Sequence, residues 1–201
     1  MTGTTTPPDL VAAHAPGSLD RFLDELEAPV PSPCGGTAAA AAAAMAASLV
    51  TMVARGSSRW ADGPGVASQA RALRSRLTTL GADDAVAFAQ VLAATGDRSG
   101  TSEQRDFALG TALLHAAEVP LRIAEAAADV AELAAVAAAE GAAQMRPDAS
   151  AAATLAEAAT RAAAHLVEIN LAIVPGDRHA AQAKLLAAAA AAARDRALGT
   201  A

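Results

Sequence analysis

The chain has 201 residues, a formal net charge of −6 and one cysteine. That length fits one domain with a buried core, and the acidic balance argues against a nucleic-acid or anionic-membrane surface, which needs a basic electrostatic footprint. A lone cysteine excludes an intrachain disulfide framework and a Cys-cluster metal site, in keeping with a reducing, cytoplasmic setting. Hydrophobic residues make up 53% but aromatics only 2%, so the apolar content is mostly alanine and leucine. A core of that kind is thin per residue and gains by close helix–helix contact and by dimerisation.

Residues 1–17 lack a basic n-region and an apolar core; they read as a disordered leader rather than a secretory signal, and the folded domain is taken as 18–198. Ser18 can cap a first helix through about Glu27, with Leu19, Phe22, Leu23 and Leu26 on one face and Pro29 ending it. Next comes Pro31-Ser32-Pro33-Cys34-Gly35-Gly36-Thr37, running into an alanine-rich stretch that ends Ser48-Leu49-Val50-Thr51-Met52-Val53-Ala54. A rigid turn with two glycines and a hydroxyl residue delivers backbone N–H groups, at a helix start, to something anionic. The uncharged stretch 37–54 is long enough to span a membrane, but alanine is only weakly apolar, so a buried central helix is the preferred reading.

Breakers at Gly56-Ser57-Ser58 and Asp62-Gly63-Pro64-Gly65 predict a loop around Trp60. A third helix is expected over 66–80, closed by Gly81, and a fourth from Ala82 or Asp83 to Gly96, so that Asp84 lies in its first turn. After a polar loop, a helix restarts at Thr101, and Pro120 inside it should kink or split it. Gly141 can cap its C-terminal end, Asp148 can N-cap a helix from Ala149 to about Ile173, and a last helix covers 178–198. The expected fold is all-α: a single-domain bundle of roughly six to eight closely packed, Ala-rich helices, expected to dimerise.

Five segments in order carry a resemblance: Pro31 to Thr37 with the alanine-rich helix and Met52-Val53; Asp84-Ala85-Val86-Ala87-Phe88; Val119-Pro120-Leu121; Gly141, Ala142, Gln144, Pro147 and Asp148; and Ile169-Asn170-Leu171. Together they resemble folate-handling cyclodeaminases and methenyltetrahydrofolate cyclohydrolases. In that family the first segment has the form Pro-Thr-Pro-Gly-Gly-Gly-Ser, so Cys34 stands for one glycine and Thr37 for the serine. The family's two asparagines are here Ala142 and Gln144, its serine is Pro147, and the asparagine preceding its Val-x-Ile-Asn run is Leu166.

The resemblance implies an enzyme acting on 5-formimino- or 5,10-methenyltetrahydrofolate, with the folate as substrate and no metal. It implies Asp84 and Asp148 as catalytic carboxylates, able to stabilise a cationic carbon and move a proton. Pro33, Cys34, Gly35, Gly36, Thr37, Gln144 and Asn170 would bind the substrate. Read from the residues alone, Asp84 and Asp148 are equally helix-terminal carboxylates, Gly35 and Gly36 a tight turn, and Asn170 a helix-end group. Arg122, Arg146 and Arg161 suit the folate glutamates or a solvated helix face. Cys34 has no identifiable histidine partner, and no HExxH spacing marks a metal site. The substitutions leave two alternatives open: a family member acting on another one-carbon or imine substrate, or a non-catalytic helical dimer.

Overall fold

The computed structural model describes residues 18–28, 34–171 and 177–199. The expected leader 1–17, Pro29 and Pro33 lie outside the described residues. The chain divides between residues 32 and 33. The first unit is represented by α1 (Ser18–Glu27), which has Asp20 in its first turn and an Arg21–Glu25 ion pair of 2.9 Å on its surface. The second unit holds α2 (Gly35–Gly56), α3 (Gly63–Gly96), α4 (Ser102–Glu140), α5 (Arg146–Asn170) and α6 (Arg178–Leu198), with one short 3-10 turn at Ala143–Met145 before α5. The described residues contain no strand, so the all-α expectation holds.

Within the second unit α2 packs against α3, α4 and α5, while α6 lies against α4 and α5. Both α2 and α4 are long and apolar enough to cross a membrane by length and composition, yet α2 gives Ala39, Ala40, Ala43, Ala46, Ala47, Val50 and Val53 to the core. The core is built largely of alanine, with Leu77, Leu80, Ile123, Val130 and Val167 as its larger fully buried side chains. Alanine has the strongest helix propensity and the smallest side chain that still excludes water, which lets five helices approach closely.

Four boundaries differ from the expected ones. Gly81 does not end a helix: α3 runs unbroken through 34 residues. A glycine inside a helix costs about 1 kcal/mol relative to alanine, and here the tract on either side of it carries the helix through. A Cβ at Gly81 would rest in ordinary contact, 3.4 Å from that of Ala40, and what ties this turn to α2 is the Gly81 carbonyl, which accepts from Thr37 Oγ1 at 2.9 Å. The Asp62 to Gly65 segment begins α3 instead of lying wholly in a loop, because proline in the first helical turn sacrifices no hydrogen bond.

Pro120 does not split α4, which continues for 39 residues. Proline lacks an N–H, so the Ala116 carbonyl one turn earlier loses its helical donor. Asn170, at the end of α5, donates its Nδ2 to that carbonyl at 2.6 Å. Asp148 is not an N-cap either; α5 starts at Arg146 with Pro147 in its first turn, which places Asp148 inside the helix. α4 opens on a reciprocal capping box between Thr101 and Gln104, and Asp177 caps α6 by accepting from the His179 N–H at 2.7 Å.

Candidate functional site

The start of α2 and the middle of α3 meet over Asp84. Cys34 stands in extended conformation at the N-cap of α2, and its side chain does not cap the helix. The first N–H groups of a helix carry partial positive charge and attract an anion. Asp84, 5% exposed, sits there: a Cβ built at Gly36 would overlap its carboxyl group. Only glycine leaves that space. Asp84 therefore belongs not to the first turn of its own helix, as expected from Gly81, but to the N-terminal end of another.

Two side chains reach Asp84 Oδ2, the Cys34 thiol at 3.0 Å and the Thr37 hydroxyl at 3.3 Å. Burial, then the hydrogen bond to Asp84 and the negative charge of Asp84, push the Cys34 thiol up to about 11; the Gly36 and Thr37 N–H groups pull weakly the other way. The thiol is thus protonated at neutral pH and acts as a donor rather than a nucleophile.

Leu166 on α5 lies beside the same helix start, with its Cδ1 3.8 Å from where a Gly35 Cβ would be. One turn on, Asn170 joins Phe107, Gly110, Thr111, Leu114 and Leu171 around an apolar cavity of about 250 Å³. Asn170 Nδ2 gives one of its two protons to the Ala116 carbonyl, which leaves the amide oxygen and the second N–H for a ligand.

Gln144 and Asp148 stand at the opposite end of α2. There the Ala142 N–H donates to Ser57 Oγ at 2.8 Å, Ser57 donates to the Val53 carbonyl at 2.7 Å, and Gly56 lies against Met145. Gln144 lines an open, polar cavity of about 460 Å³ with Ser58, Arg59, Trp60, Glu140 and Gly141. α2 has 22 residues, so its two ends are about 30 Å apart at 1.5 Å per residue. One chain therefore does not bring Asp84 and Asp148 to a single reacting atom.

Of the other candidates, Arg161 pairs with Glu157 at 3.7 Å, and Glu157, buried, is also met by Arg194 at 3.5 Å. His165 is exposed beside Glu168, and His115 Nδ1 meets Gln90 Oε1 at 3.0 Å. Among the described residues no three His, Cys, Asp or Glu side chains gather as a metal site would need. The sequence reading placed Trp60 in a loop but gave neither it nor Arg59 a role, since neither carries a spacing signal. It also missed the link between Pro120 and Asn170, which counting back one turn from the proline could have raised.

A sequence model described as Formiminotransferase-cyclodeaminase matches residues 18–191. The methenyltetrahydrofolate cyclohydrolase of Methylorubrum extorquens is 35% identical, over 76% of this chain and 78% of its own length. The crystal structure of formiminotetrahydrofolate cyclodeaminase from Thermotoga maritima superposes with a TM-score of 0.81 at 24% identity, covering 92% of this chain and 96% of that one; at this identity it establishes the shared fold. The chain belongs to the formiminotransferase-cyclodeaminase family.

Proposed function

We propose that this protein is a folate one-carbon enzyme that hydrolyses 5,10-methenyltetrahydrofolate. The observation that carries the reading is the buried Asp84 carboxyl at the N-terminus of α2, in a chain 35% identical to a methenyltetrahydrofolate cyclohydrolase. The substrate carbon bridges two nitrogens as a cationic amidinium. Asp84 attracts that cation and takes a proton as water adds to the carbon. The protonated carboxyl then returns the proton to the departing nitrogen while the new hydroxyl loses its own to solvent. The C–N bond breaks, leaving a formyl group, with one water consumed and one proton released. Leu166 and the N–H groups of Gly35, Gly36 and Thr37 border the place where the substrate's ring system would lie, and the Asn170 oxygen offers an acceptor nearby.

The same reading makes the protein a cytoplasmic homodimer without metal, membrane or nucleic-acid partners. Met45 and Met52, 54% and 42% exposed on the outer face of α2, support self-association. If Asp148 and Gln144 take part in the chemistry, a second copy with its α2 antiparallel supplies them, since within one chain they lie at the far end of the helix. A second reading, a different one-carbon or imine substrate, is favoured by one observation: apolar Leu166 beside Gly35, where the family's polar asparagine would stand.

Decay of 5,10-methenyltetrahydrofolate absorbance, corrected for spontaneous hydrolysis, tests the proposal. Saturable acceleration that Asp84→Asn removes supports it; saturable binding without acceleration favours the second reading.

A further inference from the structure

The two donors at Asp84 are unequal. A hydroxyl has one proton to give. That of Thr37 goes to the Gly81 carbonyl at 2.9 Å, leaving only the longer approach of 3.3 Å to Asp84. The Cys34 thiol lies 3.0 Å from Asp84 Oδ2 and donates to no other acceptor among the described residues. No described cation forms an ion pair with Asp84, and the adjacent Asp83 is half-buried. The thiol is therefore the one side-chain donor dedicated to this carboxylate. A glycine at this position, as in the resembling segment, would offer none.

We propose that Cys34 is a positioning residue, whose thiol holds the Asp84 carboxylate in the orientation the reaction needs. It acts on the reaction through Asp84 alone, so the inference rests on the role given to Asp84 under the proposed function. The donor persists across the working range, because the thiol stays protonated well above neutral pH. Removing the donor should lower kcat with little change in KM, and a variant that restores a donor should recover it, whereas a purely packing role would not follow the donor.

The test compares Cys34→Gly and Cys34→Ser. In Cys34→Gly the kcat for 5,10-methenyltetrahydrofolate should fall about tenfold with KM little changed, the scale of one hydrogen bond to a charged group. Cys34→Ser, which restores an O–H donor, should recover most of that loss. An unchanged kcat in Cys34→Gly overturns the proposal, as does a Ser variant no better than Gly.

A second measurement does not need turnover. The chain has one cysteine, so iodoacetamide alkylation reports Cys34 alone. Asp84→Asn, checked for fold by circular dichroism, should alkylate about tenfold faster at a fixed mildly alkaline pH, because the charge that suppresses the thiolate is gone. An unchanged rate overturns the coupling. Faster alkylation in a protein whose wild type does not turn over the folate supports the Cys34–Asp84 link and overturns the proposed function instead.

Discussion

The two ends of α2 use one packing device for different purposes. At each end a glycine lets a neighbouring segment lie against the helix: Gly36 admits the Asp84 carboxyl, and Gly56 admits the Met145 thioether. At the N-terminal end the exposed peptide N–H groups favour an anion, and the group admitted is an acid. At the C-terminal end the carbonyls need donors, and the neutral Ser57 hydroxyl serves the Val53 carbonyl while accepting from Ala142. Close approach alone does not make a site. The end that combines it with a buried charge carries the chemistry proposed here, and the other end offers an open polar cavity.

Asp84→Asn is the sharpest way to break this comparison, with an expected loss in kcat of about 100- to 10,000-fold, the range for a positioned acid–base group. Asp148→Asn decides whether the far end takes part. If it too is inactive, the proposed antiparallel dimer predicts that mixing the two variants by refolding restores about a quarter of wild-type activity, since half of its dimers would be mixed and each would have one intact shared site. No recovery would assign each variant's defect to its own chain.

Gly36→Ala should come next in size. Its Cβ overlaps the Asp84 carboxyl, and overpacking of this kind costs about 1–3 kcal/mol, to be read as a lowered midpoint in urea together with lost activity. Asn170→Ala should cost about 1–3 kcal/mol by leaving the Ala116 carbonyl unpaired. The cost should shrink in a Pro120→Ala background, where the backbone regains its own donor; an equal cost in both backgrounds would refute the coupling. The smallest effect expected is Thr101→Ala, about 1 kcal/mol from the lost cap of α4, with no change in turnover.

Much of the fold was legible because alanine-rich, strongly helical tracts and true caps leave little choice. Thr101 and the last helix over 178–198 fell where expected. The failures were at glycine and proline. Both were read as local punctuation, but the Gly81 carbonyl is taken up by Thr37 of α2, and the vacancy Pro120 creates is filled by Asn170, 54 positions from Ala116. Counting back one turn from Pro120 finds the orphaned Ala116 carbonyl, but nothing within a window of one helix names either partner.

The site was legible in composition but not in arrangement. The motif segments named Cys34, Gly36, Thr37 and Asp84, and these do converge on one carboxylate. The same order of motifs placed Gln144 and Asp148 alongside them, whereas the antiparallel run of helices carries those two to the other end of α2. Motif order along a chain fixes neighbours in sequence; helix direction decides which of them meet in space.

The most direct test of the account is the decay of 5,10-methenyltetrahydrofolate with purified wild-type protein and with Asp84→Asn, measured side by side over a range of substrate concentrations. The account predicts saturable acceleration by the wild type and decay at the spontaneous rate with the variant. Equal acceleration by both would contradict the assignment of the chemistry to the N-terminal end of α2.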